Sequence, residues 1–85
     1  MTATRRPLVA GNWKMNGLRA DGAALAAAVR QHAAATDDGC DVALCPPATL
    51  LSTVAAAIAG SSILLGGQDC ATASHGAHTG DIAAA

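Results

Sequence analysis

Phenylalanine and tyrosine are missing from this chain, and one tryptophan is its whole aromatic content. Lysine occurs once, and charged residues make up only 13% of the sequence. These absences exclude several functions. The formal net charge is −1, and with neither a basic surplus nor stacking aromatics nothing points to a nucleic-acid partner. No apolar run approaches the ~20 residues of a membrane span, so no membrane partner is expected either. Arg5-Arg6 is followed only by Pro7-Leu8-Val9-Ala10-Gly11, too short for the core of a signal peptide, and the start reads as cytoplasmic. The cysteines are Cys40, Cys45 and Cys70, an odd number without a C-x-x-C pair. That pattern argues against a disulfide framework or a zinc knuckle and for free thiols in a reducing compartment.

What is there is apolar. Hydrophobic residues make up 52% of the 85, mostly alanine with leucine, valine and isoleucine. Disordered chains are poor in such residues and rich in charge, so this chain is expected to fold. A core built from small side chains is shallow. A chain of this length buries only about 60 to 65% of its unfolded surface, which predicts marginal stability.

The apolar residues alternate in pattern along the chain. Pro7 to Gly11 is a short apolar run ended by glycine and reads as a buried strand. Leu25, Ala28, Val29 and His32 fall at helical spacing and predict a helix from about Asp21, its N-cap, to about Ala35, with His32 on or beside the buried face. Thr36-Asp37-Asp38-Gly39 is a turn cluster. Asp41 to Cys45 reads as a second buried strand, and Pro46-Pro47 suits the first turn of a second helix. Leu50, Leu51, Val54 and Ile58 line one face of that helix, and Gly60 suits its C-terminal cap. Ile63-Leu64-Leu65 is a third strand, ended by Gly66-Gly67. From Gln68 to Asp81 the chain is polar and without periodicity.

Continuous apolar strands alternating with helices predict a parallel sheet covered by helices. Right-handed crossovers then bring the C-terminal ends of all strands to one rim, where α/β folds carry their sites. Three parallel strands leave open edges, which native proteins avoid. Residues 1–85 are therefore expected to be the N-terminal part of one larger α/β domain.

Three segments meet that rim: Asn12 to Gly17, Pro46-Pro47, and Gln68 to Asp81. Lys14 follows the first strand with no acidic residue near it in sequence, flanked by Asn12 and Asn16. A point charge with amides beside it suits an anion; a solvated surface lysine fits its position as well. Trp13 reads as an anchor packing the loop down. Cys70, His75 and His78 form C-x4-H-x2-H, which matches no common zinc pattern and supplies only three ligands, so no metal is expected. Neither a P-loop, a G-x-G-x-x-G, an H-E-x-x-H nor a G-x-S-x-G occurs.

Four motifs carry a resemblance. Gly11-Asn12-Trp13-Lys14-Met15-Asn16 after the first strand, Cys45-Pro46-Pro47 after the second, Gly67-Gln68-Asp69 after the third and Gly76-Ala77-His78-Thr79-Gly80-Asp81 resemble, in order and spacing, segments of the triosephosphate isomerase family. The resemblance implies a (β/α)8 TIM barrel, to which this chain gives about three strands and two helices. It implies an aldose-ketose isomerase that interconverts dihydroxyacetone phosphate and D-glyceraldehyde 3-phosphate through an enediolate, without cofactor. Asn12, Trp13 and Lys14 then belong to the substrate-binding set, with Lys14 also catalytic through its charge. Met15, Gln68, His78, Thr79, Gly80 and Asp81 then belong to a homodimer interface, with Thr79 supporting the partner's Asn and Lys. His78 stands where the family commonly has an aromatic, and Asp81 where it commonly has Glu. The family's His electrophile and Glu base lie further along the chain, so these 85 residues alone are expected to be inactive. The alternative from another class is an inactive fragment that serves as a binding module.

Overall fold

The computed structural model describes residues 5–36 and 39–85; Asp37 and Asp38 of the predicted turn lie outside the described residues. The elements run β1 Leu8–Asn12, α1 Arg19–Ala35, β2 Asp41–Cys45, a 3₁₀ turn Ala48–Leu50, α2 Leu51–Ile58 and β3 Leu64–Leu65. The second strand has the predicted bounds, and the third is shorter by Ile63.

The sheet is parallel and its order is β1-β2-β3. Order in space thus follows order in sequence. Two crossovers of the same hand then place both helices on one face, and α1 and α2 indeed pack on each other. The core lies between them and the sheet. It consists of Ala26, Leu44, Leu50, Val54, Ile58 and Ile63, with Trp13, Val29, Ala33, Val42 and Ala57 packed around it. Arg30 ties the helices together by donating from Nη1 to the Ala57 carbonyl, 3.2 Å away. Gly60, with φ +78°, turns the chain just past the α2 cap Ala59. No helix among the described residues is long and apolar enough to cross a membrane.

Side chains alternate between faces along a strand, and the register fixes which residues share a face. Val42 and Leu44 pack in the core under the helices, and Val9, Gly11 and Leu65 share their face through the pairs Val9–Val42, Gly11–Leu44 and Leu65–Leu44. Leu8, Ala10 and Asn12, paired with Asp41, Ala43 and Cys45, lie on the other face, which no helix covers.

Four expectations need correction. The first and third strands are not buried: Leu8 is 59% exposed, Val9 56%, Leu64 51% and Leu65 40%. Each of these strands has one neighbour only, and one sheet face is bare, so only β2 is enclosed. Next, α1 starts two residues before Asp21. Leu18 is its N-cap without a side-chain bond, and Asp21 sits in the first turn, where its charge suits the helix dipole. The buried stripe of α1 is Gly22 and Ala26, continued by Val29 and Ala33, while Leu25 is half-exposed and His32 exposed. Close approach decides this: a Cβ at Gly22 would lie 3.2 Å from Leu50 Cδ1. The smallest residues therefore face inward. Finally, the prolines precede α2 rather than open it. Pro47 caps the 3₁₀ turn, which takes Leu50 out of the helix, and Pro46 is fully buried.

The molecule is thin and spread out, 46 × 39 × 21 Å. Its radius of gyration is 14.7 Å, against about 12 Å for a compact chain of this length. Leu8, Val9, Leu64 and Leu65 are thus open to solvent beside unpaired strand edges, a template for association. These residues alone should therefore show a broad thermal transition and concentration-dependent association. Differential scanning calorimetry with an amide NMR spectrum checks this; a sharp cooperative transition with dispersed amides would contradict it.

Candidate functional site

Because every strand is parallel, Asn12, Cys45 and the Gly66 that follows Leu65 reach the same rim. Asn12 and Cys45 are register partners on the bare face. The pairing continues one residue further, as the Trp13 N–H donates to the Cys45 carbonyl at 3.1 Å. There the chain leaves the sheet. The Asn12 carboxamide oxygen accepts the Lys14 N–H at 2.9 Å, and Asn16 Nδ2 donates to the Trp13 carbonyl at 2.8 Å. Asparagine forms side-chain turns like that of Asn12, two residues long, readily. The pair of asparagines around Lys14 is thus a turn-forming device as well as a polar setting.

Lys14 occupies the left-handed region, with φ +56°, alone among the described non-glycine residues. For a side chain with a Cβ this conformation costs about 1–2 kcal/mol. Such residues persist where their surroundings over-determine them, and they gather at functional sites. Lys14 is exposed. Among the described residues the ion pair is Arg6–Asp41, 3.1 Å, at the far end of β1 and β2, and Lys14 has no acidic partner. Its exposed ammonium is a single charge with three donors.

Trp13 is half-buried against the core. It lines, with Asn16, Gly17, Asp21, Gly22 and Leu25, a hollow of about 210 Å³ under the loop. Its ring goes to the helix side, as a packing anchor does, while Asn12 stands on the opposite face.

The third segment arrives through Gly66 and Gly67. Gly66 N–H donates to the Leu44 carbonyl at 2.9 Å. A Cβ at Gly66 would stand 3.0 Å from Cys45 Sγ, so only glycine passes there without a shift. The chain then presents Gln68, whose Nε2 donates to the Lys14 carbonyl and to the Cys45 carbonyl, each at 2.9 Å. These two bonds join segments 54 and 23 residues apart. No local pattern in the sequence could have shown them.

Beyond Gln68 the chain forms an arm. The Ala71 N–H donates to the Ile82 carbonyl at 2.7 Å and closes its base. Inside it, the Asp81 N–H donates to the His78 carbonyl at 3.0 Å, and Gly76 and Gly80 take positive φ. His78, Thr79, Gly80 and Asp81 are exposed, and Met15 is 95% exposed. His75 Nδ1 lies 2.9 Å from Ser74 Oγ. Among the described residues no group of three or more His, Cys or Asp side chains is placed to hold a metal.

Comparison with known proteins covers nearly the whole chain. The family model described as triosephosphate isomerase matches residues 7–85. A triosephosphate isomerase from Granulibacter bethesdensis is 52% identical over 79 residues, 93% of this chain and 32% of that protein. One from Dinoroseobacter shibae is 58% identical over 80 residues, 94% of this chain and 31% of its own length. Among solved structures, the triosephosphate isomerase of Bartonella henselae superposes with a TM-score of 0.74 at 40% identity, covering 92% of this chain and 31% of that one. The chain spans about a third of the length of these relatives. Its three parallel strands and two helices correspond to the N-terminal part of the TIM barrel. A bare sheet face, with both helices on the other, is what such a segment presents, because the bare face is the barrel interior. The family-model match over residues 7–85, with relatives of this identity and this superposition, establishes that this chain belongs to the triosephosphate isomerase family.

Proposed function

We propose that this chain is the N-terminal segment of an enzyme that interconverts dihydroxyacetone phosphate and D-glyceraldehyde 3-phosphate, and that it supplies the site's fixed positive charge. The observation that carries the proposal is Lys14: an ammonium without an acidic partner among the described residues, on a left-handed residue, at the rim where Asn12 ends β1. The reaction moves a proton between adjacent carbons and passes through an enediolate. Negative charge builds on oxygen while the substrate's phosphate stays dianionic. A cation held in place before the reaction stabilises that charge without reorganising, and this is where it acts most strongly. Asn12 is set at the end of its strand and also fixes the turn. Trp13 completes the substrate-binding set as the anchor beneath it, since its ring packs against the core and walls the hollow under the loop.

The proton-transfer groups belong to other parts of the enzyme. All six acidic residues here are aspartates, none in the rim turn, and His75 and His78 sit in the arm. That arm, with Met15, serves a second copy of the chain. Gln68, His78, Thr79, Gly80 and Asp81 form its contact face, and Thr79 supports the partner subunit's turn. The exposure of a methionine beside Lys14 and of an arm closed at its base supports this reading. The substrates are soluble triose phosphates of the cytoplasm, and the place in metabolism is glycolysis and gluconeogenesis.

In the full-length enzyme, Lys14→Ala should lower kcat/KM by roughly 10²-fold or more, about 3 kcal/mol of transition-state stabilisation, as for loss of one oxyanion donor. Steady-state kinetics check this, and unchanged kinetics would remove Lys14 from its role. These 85 residues alone should give no turnover in a coupled isomerase assay, because no base for the proton is among them. Measurable turnover would overturn that assignment.

A further inference from the structure

Gln68 carries a role beyond a contact face. Its carboxamide nitrogen spends both hydrogens inside the chain, on the Lys14 and Cys45 carbonyls. Only the NH₂ end of the amide can face two carbonyl oxygens. Lys14 is the strained residue of the rim, and its peptide groups are fastened on both sides. The N–H is held locally by Asn12 Oδ1, two residues away. The carbonyl is held across the fold by Gln68. Cys45 is the reference point. Its carbonyl receives Trp13 N–H at 3.1 Å and Gln68 at 2.9 Å, which fills both lone pairs. Gln68 therefore measures the Lys14 peptide against the end of the central strand, and Gly66-Gly67 let the chain pass close enough to do so.

From this geometry we infer that Gln68 is a positioning residue: it holds the Lys14 backbone in its left-handed conformation and so sets where the ammonium stands when substrate binds. The inference rests on the proposed role of Lys14. The side chain at 68 touches no reacting atom. The direct test is residue 68 itself.

The experiment uses the full-length enzyme with Gln68→Met, which keeps length and removes both donors, and Gln68→Glu, which replaces them by a carboxylate facing two carbonyls. Each is made in the wild-type and in the Lys14→Ala background, with melting temperatures measured alongside. With two hydrogen bonds lost, Gln68→Met should lower kcat/KM by roughly 10-fold. In the Lys14→Ala background it should have almost no further effect, since nothing is left to position. For Gln68→Glu, the ratio of its kcat/KM to that of wild type should rise as pH falls from about 8 towards 5. Protonation of the new carboxyl, helped by the two carbonyls that disfavour its charged form, restores one donor. An equal fall from Gln68→Met in both backgrounds, or a Gln68→Glu ratio flat with pH, would overturn the inference while leaving the role of Lys14 intact. Full activity of Lys14→Ala itself would instead overturn the functional reading, and the inference with it.

Discussion

The rim depends on one carbonyl. The Cys45 oxygen ends the central strand and accepts from Trp13 of the first segment and from Gln68 of the third. Neighbouring strands fix that oxygen within the sheet, so whatever bonds to it inherits the sheet's rigidity. The turn that carries Lys14 is short, exposed and strained. Gln68 and Trp13 tie it to the end of the central strand, and the inferred placement of the ammonium rests on those bonds. The tight passage of Gly66 past Cys45 Sγ is part of the same arrangement: a Cβ there would stand 3.0 Å from the sulfur.

A second constraint is the small size of the side chains. Nine of the 17 residues of α1 are alanine, which favours the helix and lets it lie close against Leu50 and Val54. Close packing compensates for shallow packing, since dispersion depends on contact rather than on residue size. One large ring packs against this core, and Trp13 is placed where loop, sheet and helix meet. The apolar residues left outside, Leu8 and Leu64 on the bare face and Val9 and Leu65 at the edges, mark where a (β/α)8 barrel has its interior and its neighbouring strands.

Much of this could be read from the sequence, for identifiable reasons. The bounds of β2 were legible because Asp41 to Cys45 is an apolar run between a turn and two prolines. The rim was legible because parallel strands put their C-terminal ends together, and the four motifs then named the family. The stripe of α1 was not legible. With alanine at so many positions, periodicity has no contrast, and the one leucine misleads because the tightest approach selects glycine. The helix start was missed because Leu18 caps it with no side-chain bond, so no capping residue marks it. Asn12 and Lys14 were legible as rim residues, because they follow directly on the apolar run of the first strand. The conformation of Lys14 and the reach of Gln68 to it were not, because both arise from contacts between distant segments.

The central claim is that the fold presents the Lys14 ammonium, from a left-handed residue tied to the central strand, to a phosphorylated substrate. A crystal structure of the full-length protein with a three-carbon phosphorylated substrate analogue tests this most directly. The account predicts Lys14 at positive φ, its carbonyl bonded to Gln68, and its Nζ within hydrogen-bond distance of the analogue. An analogue bound elsewhere, with Lys14 in solvent or in an ordinary right-handed conformation, would contradict it.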